Sequence, residues 1–189
     1  MIFNIDNSKK YGIMMSGGLD SSILFYLLVE SNPNIDLQPF TIPKYDGAAL
    51  YVDNIISYVN QKLKLTIPKT FFVGNPNLHH REQSFIAILE IFRNYKIDHL
   101  FNAVNKNPPH LESYPGAPAR DKNIKNEKLL VPFINLYKSD ILKMLPDQNL
   151  VYITHSCTEQ KVGRCHLCWQ CKERAWAFEE LGLEDKGTN

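Results

Sequence analysis

Apolar residues recur along this chain in short blocks, and the blocks alternate between strand-like and helix-like periods. Tyr11 to Met15 is a compact apolar run and predicts a first strand. Ser21 to Glu30 follows with Leu24, Leu27 and Leu28 on one helical face, stopped by Asn32-Pro33-Asn34. Ile35 to Ile42 predicts a second strand, and Ala48 to Leu63 a second helix with the stripe Val52, Ile55, Ile56 and Val59. Leu65 to Val73 reads as a third strand weakened by Pro68. After Asn75-Pro76-Asn77, Arg81 to Tyr95 carries the strongest helical pattern, with Phe85, Ile88, Leu89 and Phe92 at spacings of three and four. Ile97 to Val104 predicts a fourth strand and Leu129 to Ile134 a short extended segment. Ser139 to Leu145 predicts a short helix, Val151 to Thr154 a last strand, and Glu173 to Leu181 a terminal helix closed by Gly182. Strands alternating with helices predict an α/β fold on a parallel sheet.

Asn105 to Lys128 breaks the pattern. It holds Pro108, Pro109, Pro115 and Pro118 with many charges and little periodicity, and it reads as a long loop or a mobile lid. Composition adds little bias. Lys plus Arg is 21 and Asp plus Glu is 20 in 189 residues, so the net charge of +1 gives no bulk case for stable nucleic-acid binding. No apolar run approaches the roughly 18 residues of a membrane span. Met1 to Lys10 lacks the apolar core of a signal peptide. The expected compartment is the cytoplasm, or a host cytoplasm if the chain is phage-encoded, where cysteines are reduced thiols or metal ligands.

Two motifs carry chemistry. Ser16-Gly17-Gly18-Leu19-Asp20-Ser21-Ser22 joins the first strand to the first helix. Glycines there permit tight curvature, successive amides can form an anion nest, and a helix N-terminus adds unpaired N–H groups. Ser16, Ser21 and Ser22 can offer hydroxyls, while Asp20 beside phosphate calls for a cation such as Mg²⁺ or for a role in orienting the turn. All four cysteines fall between positions 157 and 171, as Cys157 and the run Cys165-x₂-Cys168-x₂-Cys171. Four thiolates suit zinc in a closed tetrahedral site, and the spacing also admits an iron–sulfur cluster. The cysteines mark residues 151–189 as a C-terminal metal unit appended to an α/β domain of residues 1–150.

The glycine turn resembles the SGGxDS loop of the PP-loop ATP pyrophosphatase superfamily. The segment Thr154-His155-Ser156-Cys157, the run Gly163 to Cys171, and Arg174 with Ala177-Phe178 resemble the C-terminal zinc motif of the 7-cyano-7-deazaguanine synthase (QueC) family. Val131 to Ile141, with Lys138 near a helix start, resembles that family's Pro-leading stretch. The chain departs from the family at Tyr45-Asp46-Gly47, at His79-His80-Arg81-Glu82, and at Asp185-Lys186-Gly187-Thr188, which stands in place of an Asp-Pro-Thr ending. The resemblance implies a Rossmann-like adenine nucleotide alpha hydrolase fold with zinc on the four cysteines, and the loop holding the phosphates of ATP with Mg²⁺. It implies adenylation of 7-carboxy-7-deazaguanine, attack by ammonia to the amide, and dehydration to the nitrile. Alternatives are a stop at the amide, another nucleobase or RNA acceptor, or a decayed nucleotide-binding protein. It also implies a homodimer. Asp20, Lys138 and Arg81 are the expected catalytic residues. Residues 16–22 and Asn102, at a strand end, are the expected nucleotide contacts. Arg120 is a further candidate for an acidic group, and Trp169 and Trp176 read as packing residues.

Overall fold

The computed structural model describes residues 3–78, 80–120 and 126–187, with backbone alone at His80 and Arg81. The strands are β1 (Lys10–Met14), β2 (Asp36–Thr41), β3 (Phe71–Phe72), β4 (His99–Phe101) and β5 (Leu129–Leu130). The helices are α1 (Leu19–Ser31), α2 (Val52–Leu63), α3 (His80–Asn94), α4 (Lys138–Lys143), α5 (Asn149–Ile153) and α6 (Trp169–Glu180). The strands form one parallel sheet in the order β3-β2-β1-β4-β5, as the alternating pattern predicts. None of the described helices is long and apolar enough to cross a membrane.

Each sheet face buries its own core. Tyr11, Ile13, Leu37 and Phe101 join residues of α1, α2, α4, α5 and α6 on one side. Phe40, Ile42, Val73 and Leu100 join Ala87 and Ile91 of α3 on the other. Gly12 stands between them in β1, where an added Cβ would lie 2.8 Å from Leu100 and 3.0 Å from Phe40. The missing side chain is what lets those two residues close the second core. The first helix is apolar almost all round, and Leu19 and Ile23 to Val29 are all buried. It is the central element of the larger core.

Several elements differ from the periodicity. The third and fourth strands shorten to two and three residues. Residues 48–51 form a 3-10 turn before α2 proper. The terminal helix starts at Trp169 rather than Glu173, which puts Cys171 inside it. The α3 helix forms, but rotated from its predicted face. Phe85 and Leu89 are 62% and 50% exposed, while Ala87 and Ile91 are fully buried. Close approach explains the choice: an added Cβ on Gly74 would lie 3.1 Å from the Ala87 Cβ, so the helix meets the chain after β3 through its smallest residue. Val151 to Thr154 is not a strand. The Asp147 carboxylate accepts the Asn149 N–H at 2.9 Å and starts a helical turn. Leu150 and Val151 then fall on one face against the main core, so local capping overrides the β-branched composition.

Asp147 also ties α2 to this turn. It accepts the Tyr58 hydroxyl at 2.6 Å and the Lys62 ammonium at 3.0 Å. Burial alone would raise its carboxyl, but Tyr58, the Asn149 amide and Lys62 outweigh that and hold it at about 2. The unfolded value is about 3.9, so the folded state gains from ionisation. That contribution, on the order of 1 kcal/mol, is complete above about pH 4 and is lost as pH falls toward about 2. Asp147→Asn should lower the melting temperature near neutral pH by roughly 2–4 °C. It should also flatten the acid limb of a thermal scan series, and an unchanged acid limb would remove this role from Asp147.

Candidate active site and metal centre

The strand order reverses at β1, whose neighbours β2 and β4 are reached by crossovers running in opposite directions. Such a reversal leaves a crevice beyond the carboxyl ends of the strands. Residues 16–22 occupy that end of β1. The chain leaves the sheet after Met15, whose N–H donates to the Phe40 carbonyl at 2.7 Å. Gly17 has φ +77, and an added Cβ would stand 2.0 Å from the Ala48 carbonyl oxygen. Its own carbonyl accepts the His155 N–H at 2.9 Å. The turn is thus pressed between the 3-10 turn before α2 and the segment leading into the cysteines. The His155 ring stacks on Tyr51 at 4.9 Å between centroids.

The serines brace the turn from within. The Ser22 hydroxyl donates to the Gly18 carbonyl at 2.8 Å and the Ser21 hydroxyl to the same oxygen at 3.1 Å. Ser21 Oγ also accepts the Ser16 N–H at 3.2 Å. Gly18 is the N-cap of α1 and supplies no side-chain cap. The first-turn amides of Leu19, Asp20 and Ser21 are therefore the donors that a helix start leaves for an anion. Leu19 contributes its amide only, since its side chain is buried in the core.

Asp20 and Lys138 are brought together. The Lys138 ammonium, at the first residue of α4, donates to Asp20 Oδ2. Asp20 Oδ1 is buried and has no hydrogen-bond partner. An orphaned carboxylate oxygen beside an anion cradle fits a divalent cation or a ligand donor, so the residues present suit Mg²⁺ carried by a polyphosphate. Asn102 lies just past β4, and its N–H joins the ladder to the Leu130 carbonyl at 2.9 Å. His79 lies outside the described residues. Arg81 stands in the first turn of α3, and its side chain also lies outside what is described.

The sequence reading missed Glu173. This carboxylate is 1% exposed in α6 and accepts Lys138 Nζ at 3.2 Å, Arg120 Nη1 at 2.7 Å and Asn105 Nδ2 at 3.3 Å. The available signal was an acid within the apolar stripe Trp169, Ala177 and Phe178. The long segment is also less loose than its composition predicts over its described part, residues 105–120. Tyr114 donates to the Leu167 carbonyl at 2.9 Å, and Trp169 Nε1 donates to the Leu111 carbonyl at 3.0 Å. Trp169 is a packing residue as expected, and Arg120 lies 4.6 Å over its ring.

The four cysteine sulfurs all lie within 4.8 Å of one another, an arrangement able to hold a metal ion. A zinc tetrahedron with arms of about 2.3 Å has edges of about 3.8 Å, close to this spacing. Local backbone favours thiolate. Cys165 Sγ accepts the N–H groups of Leu167 and Cys168 at 3.4 and 3.1 Å, and His166 between them adopts φ 59 to close the knuckle. Cys157 Sγ accepts those of Glu159 and Cys165, both at 3.4 Å. Burial raises the Cys157 and Cys171 thiols. Burial works the same way on Cys168, but hydrogen bonds from Thr158 and Cys171 outweigh it and hold that thiol at about 7. Four sulfurs leave no open position, so the ion would be structural. Beside the cluster, Arg174 is buried and paired with Asp185 at 2.8 Å, and Arg164 pairs with the same carboxylate at 2.5 Å.

Residues 114–182 match the family of queuosine biosynthesis protein QueC. A 7-cyano-7-deazaguanine synthase of Methanosphaerula palustris is 45% identical over 58 residues, covering 30% of this chain and 26% of that protein. One from Campylobacter curvus is 38% identical over 60 residues, covering 31% of this chain and 27% of its own length. The chain therefore spans about a quarter of the curated relatives it matches. Among solved structures, the U34-tRNA thiolase NcsA from Methanococcus maripaludis with its 4Fe-4S cluster aligns over 93% of this chain and 68% of its own, at a TM-score of 0.46 and 15% identity. The parallel α/β sheet, with a cysteine cluster able to hold a metal, is consistent with a PP-loop fold. Over residues 114–182 the chain is similar to the QueC family, and its matches to the 7-cyano-7-deazaguanine synthases are confined to about 60 residues.

Two outcomes test this geometry. Gly17→Ala combines left-handed backbone with a clash against the Ala48 carbonyl, so it should displace the turn and lower the melting temperature; a neutral substitution would show that the turn is not so constrained. Cys168→Ser should lower bound metal well below one ion per chain and destabilise the C-terminal segment, because the ligands' binding energy is also folding energy. Full occupancy by metal analysis, with unchanged thermal stability, would exclude Cys168 as a ligand.

Proposed function

We propose that this protein uses ATP to activate a carboxylate and joins it to ammonia. The observation that carries the reading is the capless N-terminus of α1 at the sheet's reversal point, with Lys138 held on Asp20 beside it. The QueC-like match of residues 114–182 supports a nucleobase-like acceptor, and the specific reading is 7-carboxy-7-deazaguanine. In the first step a carboxylate oxygen forms a bond to the α-phosphorus and the bond to the bridging oxygen breaks, releasing pyrophosphate. Ammonia then forms a C–N bond at the carbonyl carbon, loses a proton, and AMP leaves with its bonding pair. The amide oxygen then attacks the α-phosphorus of a second ATP with release of pyrophosphate, and loss of AMP and two protons gives the nitrile.

Each residue has a stated part. The amides of residues 19–21 hold the phosphates. Lys138 balances negative charge as it develops on the α-phosphate and leaving pyrophosphate. Asp20 orients Lys138 through Oδ2 and offers Oδ1 to the phosphate-bound Mg²⁺, which would supply further charge neutralisation. A zinc ion on Cys157, Cys165, Cys168 and Cys171 would hold α6 in place.

Purified protein given ATP, Mg²⁺, ammonia and 7-carboxy-7-deazaguanine should release AMP and pyrophosphate and form the amide and then the nitrile. Lys138→Ala and Asp20→Ala should each reduce the rate by about 10²-fold or more with metal content unchanged. Absence of both products and of acid-dependent pyrophosphate exchange into ATP would overturn the proposal. Normal turnover by either variant would remove that residue from the machinery.

A further inference from the structure

We infer that Glu173 is a positioning residue that sets Lys138 and Arg120 at a fixed separation, one cation for the ATP phosphates and one for the acceptor carboxylate. This rests on the function proposed above and assigns it an acceptor subsite. Four charged groups alternate in sign from the glycine turn inward: Asp20, Lys138, Glu173 and Arg120. All four are largely buried, with side-chain exposures of 16%, 6%, 1% and 15%. Glu173 is the joint of the row. Arg120 holds it as a fork, with Nη1 on Oε1 at 2.7 Å and Nη2 on Oε2 at 3.3 Å. Lys138 reaches Oε2 at 3.2 Å.

A carboxylate in a helix face otherwise lined by Trp169, Ala177 and Phe178 is a poor choice for stability alone, because an apolar residue of similar volume would avoid its desolvation. The two ends of the row explain it better. A structural ion cluster has its acceptors satisfied, whereas here each end presents a buried acceptor with no partner. At one end this is Asp20 Oδ1, beside the turn. At the other it is Asn107 Oδ1; Asn107 lines a cavity of about 50 Å³ together with Asn105, Lys106, Glu112, Arg120 and Ile134. The Glu173 fork leaves further Arg120 N–H groups, and Lys106 adds a second cation to the same wall. Two cations against the single Glu112 carboxylate suit an anionic group, and this volume has room for the carboxylate of an acid rather than for its ring. Glu173 keeps the guanidinium and the ammonium from drifting apart as an anion binds at either end.

The test is a double-mutant cycle read by acid-dependent pyrophosphate exchange, with 7-carboxy-7-deazaguanine as the acid. Glu173→Gln keeps the volume and removes the charge. It should lower kcat by about 10-fold to 10²-fold and raise the KM for the acid more than that for ATP. In a Lys138→Ala background the same change should lower kcat by less than about twofold, because a residue acting through Lys138 has little left to lose. Kinetic losses that multiply, or a Glu173→Gln enzyme with unaltered kcat and acid KM, would overturn the inference. If Glu173→Gln loses metal or melts far below the parent, Glu173→Asp carries the test: it restores the charge and should recover most of the rate, and failure to do so with intact fold and metal also overturns it. Parent protein that catalyses no exchange defeats the proposed function and this inference together, whereas an active parent with additive variants defeats the inference alone.

Discussion

The Lys138 ammonium between two buried carboxylates is the constraint on which the rest of the site depends. An amine on a flexible four-carbon stem, 6% exposed, is stable there only while Asp20 and Glu173 stay within reach. Asp20 belongs to the start of α1, Lys138 to the start of α4, and Glu173 to the second turn of α6. Keeping the three groups together therefore fixes three helices relative to the end of β1. The apolar contacts of α1 with α4 and of α4 with α6 supply the rigid background, and the ions select one register within it.

The cysteine cluster works on the same helix at its N-terminus. Cys168 is the N-cap of α6 and Cys171 lies in its first turn, so an ion at the cluster would hold the helix start just before Glu173. Two backbone contacts extend the constraint. His155, two residues before Cys157, donates its N–H to the Gly17 carbonyl. Lys161, between Cys157 and Cys165, accepts the Tyr51 hydroxyl at 3.0 Å, beside the 3-10 turn that presses on Gly17. The glycine turn and the cysteine cluster thus share neighbours, so an ion held by the cluster would also steady the turn.

Much of the fold was legible because the larger core has a simple pattern. The stripe Val52, Ile55, Ile56 and Val59 of α2 is buried as its spacing predicts. The glycine turn was legible because its residue types admit few other backbones. The misreadings have a common physical origin in contacts distant in sequence. Phe85 and Leu89 look like a core stripe, but Gly74 draws the Ala87 side of α3 inward. Val151 looks like strand, but Asp147 starts a helical turn two residues before it. Glu173 stands in an apolar stripe that hints at burial, but its partners from 35 and 53 positions upstream, Lys138 and Arg120, are what make it a buried joint. Periodicity reports which face is apolar on average, while a buried charge is recognised by what reaches it.

The tail after α6 closes over a buried cation of that helix. Asp185 meets Arg174, with Arg174 Nε at 2.8 Å, and Arg164 adds a second cation at 2.5 Å. Gly187 follows with its N–H on Asp185 Oδ1 at 3.1 Å. An added Cβ there would lie 2.3 Å from Arg174 Nη2 and 2.5 Å from the Val151 carbonyl oxygen. The tail therefore crosses the buried guanidinium at a distance that no side chain permits. Arg174 also donates to the Val151 carbonyl at 3.0 Å and to Ser156 Oγ at 3.1 Å. Its full set of partners comes from α5, the segment before Cys157, and the tail. A sequence change at the tail is tolerable where it preserves that carboxylate and that close approach, since these satisfy the Arg174 guanidinium buried on α6.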